Sequence, residues 1–268
     1  MGCRLDYSRD WAVRAVHEAA EPANGCAKES CFVTLTYDPA NLPEDRSVDP
    51  SELQLFMKRL RKLLEPKRIR FLACGEYGER SFRPHYHLLV FGHDFSDDSV
   101  PISTPKGKHP LWRSRTLEKA WPYGFASIGA LTWESAAYTA RYIMKKINGA
   151  DQEEHYRFPD ENGEMYEVSP EFLRVSNRPG LGSAWIERFF SDVYPRDFVV
   201  VNGRKYLPPR AYDKYAAERD PEMFEEVQVM RQRRAALPAN RDESQPDRLR
   251  VRQEVKEAQI TYLSREVE

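Results

Sequence analysis

The run Arg83-Pro84-His85-Tyr86-His87-Leu88-Leu89-Val90-Phe91-Gly92 constrains this chain more than any other stretch. Two histidines one residue apart lead directly into Leu-Leu-Val-Phe, the pattern of a β-strand whose alternate side chains share a face. On such a strand His85 and His87 aim two imidazoles at one point, where a divalent cation could sit. The elements around it can be read in the same way. Cys31-Phe32-Val33-Thr34-Leu35-Thr36-Tyr37 is β-branched and aromatic and stops at Asp38-Pro39, so it is also a strand. Asp49-Pro50-Ser51-Glu52 starts a helix in which Leu53, Phe56, Met57, Leu60 and Leu64 keep helical spacing up to Pro66.

Further strands are expected over 69–77, 84–92 and 124–132, with a short helix over 116–121 and a longer one over 134–147 ending at Asn148-Gly149. Residues 4–19 suit an amphipathic helix, and 93–110, rich in Asp, Ser, Pro and Gly, reads as a surface loop. This order predicts an α+β fold, an antiparallel sheet with helices on one face, as a core over 1–150. Beyond it, 151–268 reads as an extension. Asn162-Gly163 and Asn202-Gly203 mark two tight hairpins, and Arg178-Pro179-Gly180-Leu181-Gly182 turns into a helix over 183–192. From about 211 the chain is helical and heavily charged, and its last thirty residues lack a strong apolar face, as a mobile tail would.

With 268 residues and 41% hydrophobic content the chain can build a genuine core. No apolar run approaches the roughly 18 residues of a membrane span, and no basic-then-apolar segment opens the chain. A cytoplasmic protein without a membrane partner is expected. Cys3, Cys26, Cys31 and Cys74 show no Cys-x-x-Cys spacing and are expected as free thiols, Cys31 and Cys74 in the core. The formal net charge is −1, which does not advertise nucleic-acid binding. Its distribution does: Lys58, Arg59, Arg61, Lys62, Lys67, Arg68 and Arg70 face Glu65 alone, and Arg141, Lys145 and Lys146 cluster without an acid. Arg59, Lys62, Arg68, Arg70, Arg83 and Lys146 are the candidate DNA contacts.

Two histidines make a thin metal site. Glu76, in Ala73-Cys74-Gly75-Glu76-Tyr77-Gly78, ends the preceding strand, and a short connection to Arg83 would bring it beside the His pair. It is the expected third ligand for Mg²⁺ or Mn²⁺, with Glu79 and then Asp94 as fallbacks. Tyr138 and Tyr142 lie four apart on a helix and share a face. A phenol is scarcely ionised at neutral pH, so it needs a metal-bound phosphate or cations such as Arg141 and Lys145 nearby to act as a nucleophile. A metal held by a His pair together with paired tyrosines is equipment for cutting and rejoining DNA.

These residues carry a resemblance. Phe32-Val33-Thr34-Leu35-Thr36-Tyr37, His85-Tyr86-His87 and Tyr138-Thr139-Ala140-Arg141-Tyr142-Ile143-Met144-Lys145, in that order, are similar to the motifs of HUH endonucleases. Within that superfamily they resemble the replication initiators of small single-stranded DNA phages, the gokushovirus branch of the microviruses. Arg9-Asp10-Trp11-Ala12-Val13-Arg14, Gly75-Glu76-Tyr77-Gly78, Arg178-Pro179-Gly180-Leu181-Gly182 and Asn202-Gly203-Arg204-Lys205-Tyr206 extend the likeness over most of 2–215. The resemblance implies an RRM/ferredoxin-like core and rolling-circle replication: nicking of the origin through a 5′-phosphotyrosine, then circularisation of the displaced strand. It implies single-stranded DNA at the phage origin as substrate, the host cytoplasm as compartment, and a host helicase and replication machinery as candidate partners. Arg141 departs from the lysine expected after the first tyrosine; it keeps the charge without readily donating a proton. The start at Met1-Gly2-Cys3-Arg4-Leu5 falls inside what resembles a cysteine-rich segment of relatives, and reads as a lost segment or an internal start. Rival readings are a non-catalytic single-strand binder, a hydrolytic nuclease in which water attacks, and an HUH-class transposase.

Overall fold

Alternation along Ser30–Tyr37 (β1) is complete: Cys31, Val33, Leu35 and Tyr37 are buried, while Phe32, Thr34 and Thr36 are half-buried on the other side. That period of two places β1 inside a sheet with a different layer on each face. The computed structural model describes residues 2–21, 29–78, 82–102, 109–145, 156–159 and 165–263. Within them β1 pairs antiparallel with Pro84–Phe91 (β3) on one side and Gly124–Ala130 (β6) on the other. Arg70–Tyr77 (β2), Ser99–Ile102 (β4), Leu111–Ser114 (β5) and Phe172–Val175 (β9) complete a seven-stranded sheet in the order β4-β5-β6-β1-β3-β2-β9. Every neighbouring pair in it is antiparallel.

One face is covered by Pro50–Leu63 (α2) and Arg115–Ala120 (α3). Leu53, Phe56, Met57, Leu60, Leu117 and Ala120 pack there against Val33, Leu35, Ala73, Tyr86 and Leu88. Asp49 caps α2 by accepting a 2.7 Å hydrogen bond from the Ser51 amide, with Pro50 opening the helix. The other face carries Gly2–Ala20 (α1) and Trp133–Lys145 (α4), whose Trp11, Ala12, Ala15, Ala136 and Ala140 meet Leu72, Leu89 and Phe91. The α+β architecture expected from the element order, with flanking helices and a C-terminal extension of strands and helices, is thus the one observed. Its helices lie on both faces, which corrects the one-face expectation. The cause is in β3: from Leu88 to Phe91 it is apolar on both sides, and a strand that buries both faces needs a layer on each.

The stretch expected as a loop over 93–110 contributes β4, which pairs with β5 (Val100↔Arg113) at the sheet edge, where Pro101 is tolerated. At the opposite edge β9, from the C-terminal extension, pairs with β2. Arg157–Pro159 (β7) and Met165–Glu167 (β8) pair antiparallel around Asn162-Gly163, which lies outside the described residues. Val199–Val201 (β10) and Arg204–Tyr206 (β11) form the second expected hairpin, with Asn202 at φ 49° and Gly203 at φ 74°, consecutive left-handed residues as a type I′ turn requires. The helix expected over 183–192 is broken at Phe189 into Ser183–Arg188 (α5) and Phe190–Val193 (α6). Arg210–Arg219 (α7), Pro221–Ala235 (α8), Pro238–Glu243 (α9) and Pro246–Leu263 (α10) follow. Among the described residues no helix is long and apolar enough to cross a membrane.

The turn at 178–182 fastens this extension to the core. Glu18 of α1 accepts from the Gly182 amide at 2.7 Å and faces the Arg70 guanidinium at 2.6 Å. Arg14 donates to the Leu181 carbonyl at 2.9 Å, and Arg70 to the Pro179 carbonyl at 2.8 Å. Gly182 sits at φ 73°, and a Cβ there would lie 2.4 Å from the Tyr212 hydroxyl oxygen. Gly182→Ala is expected to cost roughly 3 kcal/mol through left-handed strain and overpacking, read as a lower urea midpoint at unchanged slope.

Beside this latch His17 is buried, stacked on Trp185 with ring centroids 3.5 Å apart and hydrogen-bonded through Nδ1 to the Tyr212 hydroxyl at 2.9 Å. Burial pushes its pKa from 6.5 down to about 3. Between those values the unfolded chain binds a proton that the folded chain does not, so stability falls as pH drops below 6.5, by about 1.4 kcal/mol per pH unit for a fully buried group. Burial also lowers the pKa values of His85 and His93, adding in the same direction. Urea unfolding at pH 7.5 and 5.0 is expected to show this loss, and His17→Gln to diminish it; an equal loss in the variant would exclude His17 as a source.

Candidate active site

Register decides which side chains meet. Thr34 lies opposite His87 and Thr36 opposite His85 across β1–β3, while Cys74 lies opposite His87 and Glu76 opposite His85 across β2–β3. All of them project from the α1/α4 side of the sheet, beyond the end that Leu89 and Phe91 bury. Tyr86, between the histidines, points the other way and is fully buried. Its hydroxyl accepts from the Asp49 amide at 2.9 Å and lies 3.1 Å from the Tyr37 hydroxyl. The residue between the two histidines thereby ties β3 to the start of α2 and sets the face on which they stand.

The two imidazole rings are parallel within 4°, their centroids 6.4 Å apart. His85 Nδ1 donates to the Arg83 carbonyl at 2.7 Å, which leaves Nε2 as the lone-pair nitrogen. Burial is the main cause holding the His85 pKa below its ordinary value, so the neutral ring is favoured. His87 is buried and held at both nitrogens: Nε2 donates to Glu76 Oε1 at 2.6 Å, and Nδ1 lies 3.1 Å from Thr34 Oγ1. Glu76 is itself buried beside it.

Tyr138 comes to this site from α4. Thr132 and Ser135 open that helix by exchanging hydrogen bonds, each side-chain oxygen accepting from the other's amide. Ala136 and Ala140 let it pack closely on α1. The Tyr138 ring stands edge-on to His87 (5.3 Å between centroids, 80°) and to Phe32 (6.3 Å, 87°), and Phe32 stacks on His87 at 5.4 Å. The Arg141 guanidinium lies over the Tyr138 ring, 6.0 Å from its centroid.

The structure thus brings His85, His87, Glu76, Tyr138 and Arg141 to one place. Tyr142 and Lys145 are in the backbone of α4, one and two turns on, but their side chains lie outside the described residues, as do Lys146, Glu79 and Cys26. Asp94 follows the far end of β3, where it accepts from the Ser96 amide at 3.0 Å. The candidate DNA contacts do not all converge on the site. Arg59 and Lys62 are on α2, across the sheet, and Arg59 donates to the Ala120 carbonyl at 2.8 Å. Arg70 is taken up by the latch, Arg68 is exposed before β2, and Arg83 donates to the Tyr37 carbonyl at 2.9 Å. Thr34 and Phe32 belong to the site although no role had been read for their side chains; the alternation of β1 was the signal that could have placed them.

The donor types of His85, His87 and Glu76 suit Mn²⁺ or Mg²⁺. Among the described residues, however, no group of three or more His, Cys, Asp or Glu side chains is gathered closely enough to hold a metal ion. The Glu76–His87 hydrogen bond occupies the atoms that would turn to the ion, so an ion would have to replace the proton between them.

A family model for replication-associated protein ORF2/G2P matches residues 30–147, which run from β1 through α4. The chain is 33% identical over 225 residues to the replication-associated protein ORF2 of Spiroplasma virus 4, covering 80% of this chain and 65% of that protein. It is 31% identical over 232 residues to the replication-associated protein VP4 of Bdellovibrio phage phiMH2K, covering 84% and 68%. Likeness to the replication-associated protein ORF4 of Chlamydia phage 1 is 30% over 222 residues, covering 78% and 50%. The chain thus spans between half and about two thirds of the length of these relatives. No solved structure matches it.

Proposed function

Because the chain belongs to the replication-associated protein ORF2/G2P family, we propose that it starts rolling-circle replication of a phage genome by nicking and rejoining single-stranded DNA at the origin. The observation that carries this reading is the contact of Tyr138 with the Glu76-bound His87. The Tyr138 phenolic oxygen attacks the scissile phosphorus, the bond from phosphorus to the 3′-oxygen breaks, and the leaving oxygen takes a proton to become a 3′-hydroxyl. The phenol proton is lost in the same exchange, so one phosphodiester is traded for another and the strand can later be rejoined by the reverse attack.

Glu76 and Thr34 hold the His87 imidazole from both nitrogens, and Arg141 offers positive charge beside the phenol. His85, His87 and Glu76 are the residues that would hold Mg²⁺ or Mn²⁺, which would polarise the scissile phosphate as a Lewis acid. Tyr142 and Lys145, on the same helix, would serve a second transfer and its charge.

The test is incubation with labelled single-stranded origin DNA in Mn²⁺ or EDTA, followed by a denaturing gel. DNA that migrates with the protein only in Mn²⁺ is the expected result. Free cleaved DNA without an adduct would transfer the reading to attack by water, and tight binding without cleavage to a single-strand binder.

A further inference from the structure

Arg61 lines two clefts, one at the end of α2 and one across the sheet from the His pair. One, of about 1040 Å³, lies between the end of α2 and the 176–179 turn; the other, of about 500 Å³, lies between α2 and the edge strand β9. Lys58, Arg61, Arg68, Arg174 and Arg178 line them, and all are exposed. None of these five is in an ion pair among the described residues. The other two cations of the lining are engaged: Arg70 pairs with Glu18, and Lys67 lies 3.8 Å from Glu29. Glu65 is the remaining acid of the lining.

Basic residues at the end of a helix often do no more than complement its dipole, which would account for Arg61. It does not account for Arg174 on β9, which lines the smaller cleft, or Arg178 in the following turn, which lines the larger one, separate elements that bring charge to the two clefts that Arg61 also lines. In a chain of net charge −1, this is a local concentration of positive charge around two open clefts.

We propose that the two clefts together form a groove that binds the phosphate backbone of duplex DNA, separately from the strand that reaches the histidines. Single-strand sites rely on exposed aromatic rings for stacking. Here the aromatic ring of the lining, Phe71, is capped by Arg61 at 5.6 Å, and Arg174 lies over the neighbouring Phe172 at 5.5 Å. What remains is charge without stacking platforms, which suits contacts to phosphates that position a duplex without reading its sequence. The groove reaches Gly92, which follows the end of β3 seven residues from His85, so roughly 20 Å separates that part from the reaction site. The assignment rests on the nicking reading for its purpose: a clamp on duplex flanking the origin would keep the enzyme in place while the single strand reacts.

The experiment is fluorescence anisotropy with a labelled blunt duplex in EDTA, titrated with salt. It compares the wild type, a triple variant Arg61→Glu/Arg174→Glu/Arg178→Glu and a control triple Arg248→Glu/Arg250→Glu/Arg252→Glu on α10. Thermal melting is used to confirm folding. The groove variant is expected to bind at least 10-fold more weakly, with a salt slope smaller by about 3 at roughly 0.9 per lost phosphate contact. The control should bind as the wild type does, and nicking of a short single-stranded oligonucleotide by the groove variant should be unchanged. No duplex binding by the wild type, or an equal loss in both triples, would overturn the assignment. Loss of single-strand rather than duplex affinity would overturn it in favour of a single-strand track. A wild type that binds duplex through the groove yet never nicks would leave the groove standing and remove the nicking reading.

Discussion

The double variant Tyr138→Phe/Tyr142→Phe is expected to lose the covalent protein–DNA adduct altogether, with nicking reduced by at least about 10³-fold, the scale seen when a nucleophile is removed. Phenylalanine keeps the ring, so the edge-on contacts of residue 138 with His87 and Phe32 and its place under Arg141 survive. Only the hydroxyl is removed, and thermal melting checks that the variant folds. Loss of the adduct in a protein that melts like the wild type would therefore report chemistry and not folding. The single variants divide the work. Tyr138 is the ring against His87, so Tyr138→Phe should suppress the first cleavage more than Tyr142→Phe does. Tyr142, one turn along α4, should matter more for the second transfer that releases a closed circle. Adduct formation by the double variant at the wild-type rate would end the tyrosine reading whatever the singles show.

How much of this was legible in the sequence varies from residue to residue, for physical reasons. The alternation of β1 and the His pair of β3 have a period that belongs to the strand itself, so their faces could be read locally. Glu76 could be placed because a connection too short for a crossover makes β2 and β3 antiparallel neighbours, and the register then follows. The layer that α1 and α4 form could not be read this way. An apolar stripe on a helix says that something covers it, but not which face of which sheet does so. Nor could the fate of Arg70, which reads as one cation in a basic cluster until Glu18, distant in sequence, takes it up. Thr34 is an intermediate case, visible in the pattern of β1 but without a role until His87 was found opposite it. The strands β4 and β5 were missed because four residues, with a proline among those of β4, carry too little periodicity to separate strand from loop.

His87→Ala is expected to reduce nicking by about 10³-fold or more, and for two separable reasons. The imidazole is the proposed ligand on which the tyrosine ring stands edge-on, and it is also the group that Glu76 and Thr34 hold in a buried position. Truncation removes a charge-assisted hydrogen bond from the Glu76 carboxylate, a change that costs roughly 1–3 kcal/mol of stability. The stability loss alone would not abolish activity in a protein that still folds, so the two effects can be told apart. His87→Gln retains a side-chain amide that can donate to Glu76 but offers no imidazole to a cation; it should recover most of the stability and little of the nicking. Thr34→Val touches only the second nitrogen of His87, leaves all three proposed ligands in place, and should reduce the rate by about 10-fold through orientation alone. Raising Mn²⁺ should then help the Thr34 variant, whose ligands remain but are less well aimed, and should not rescue His87→Ala. Nicking by His87→Ala at the wild-type rate would take the His pair out of the mechanism and leave the contact with Tyr138 as packing.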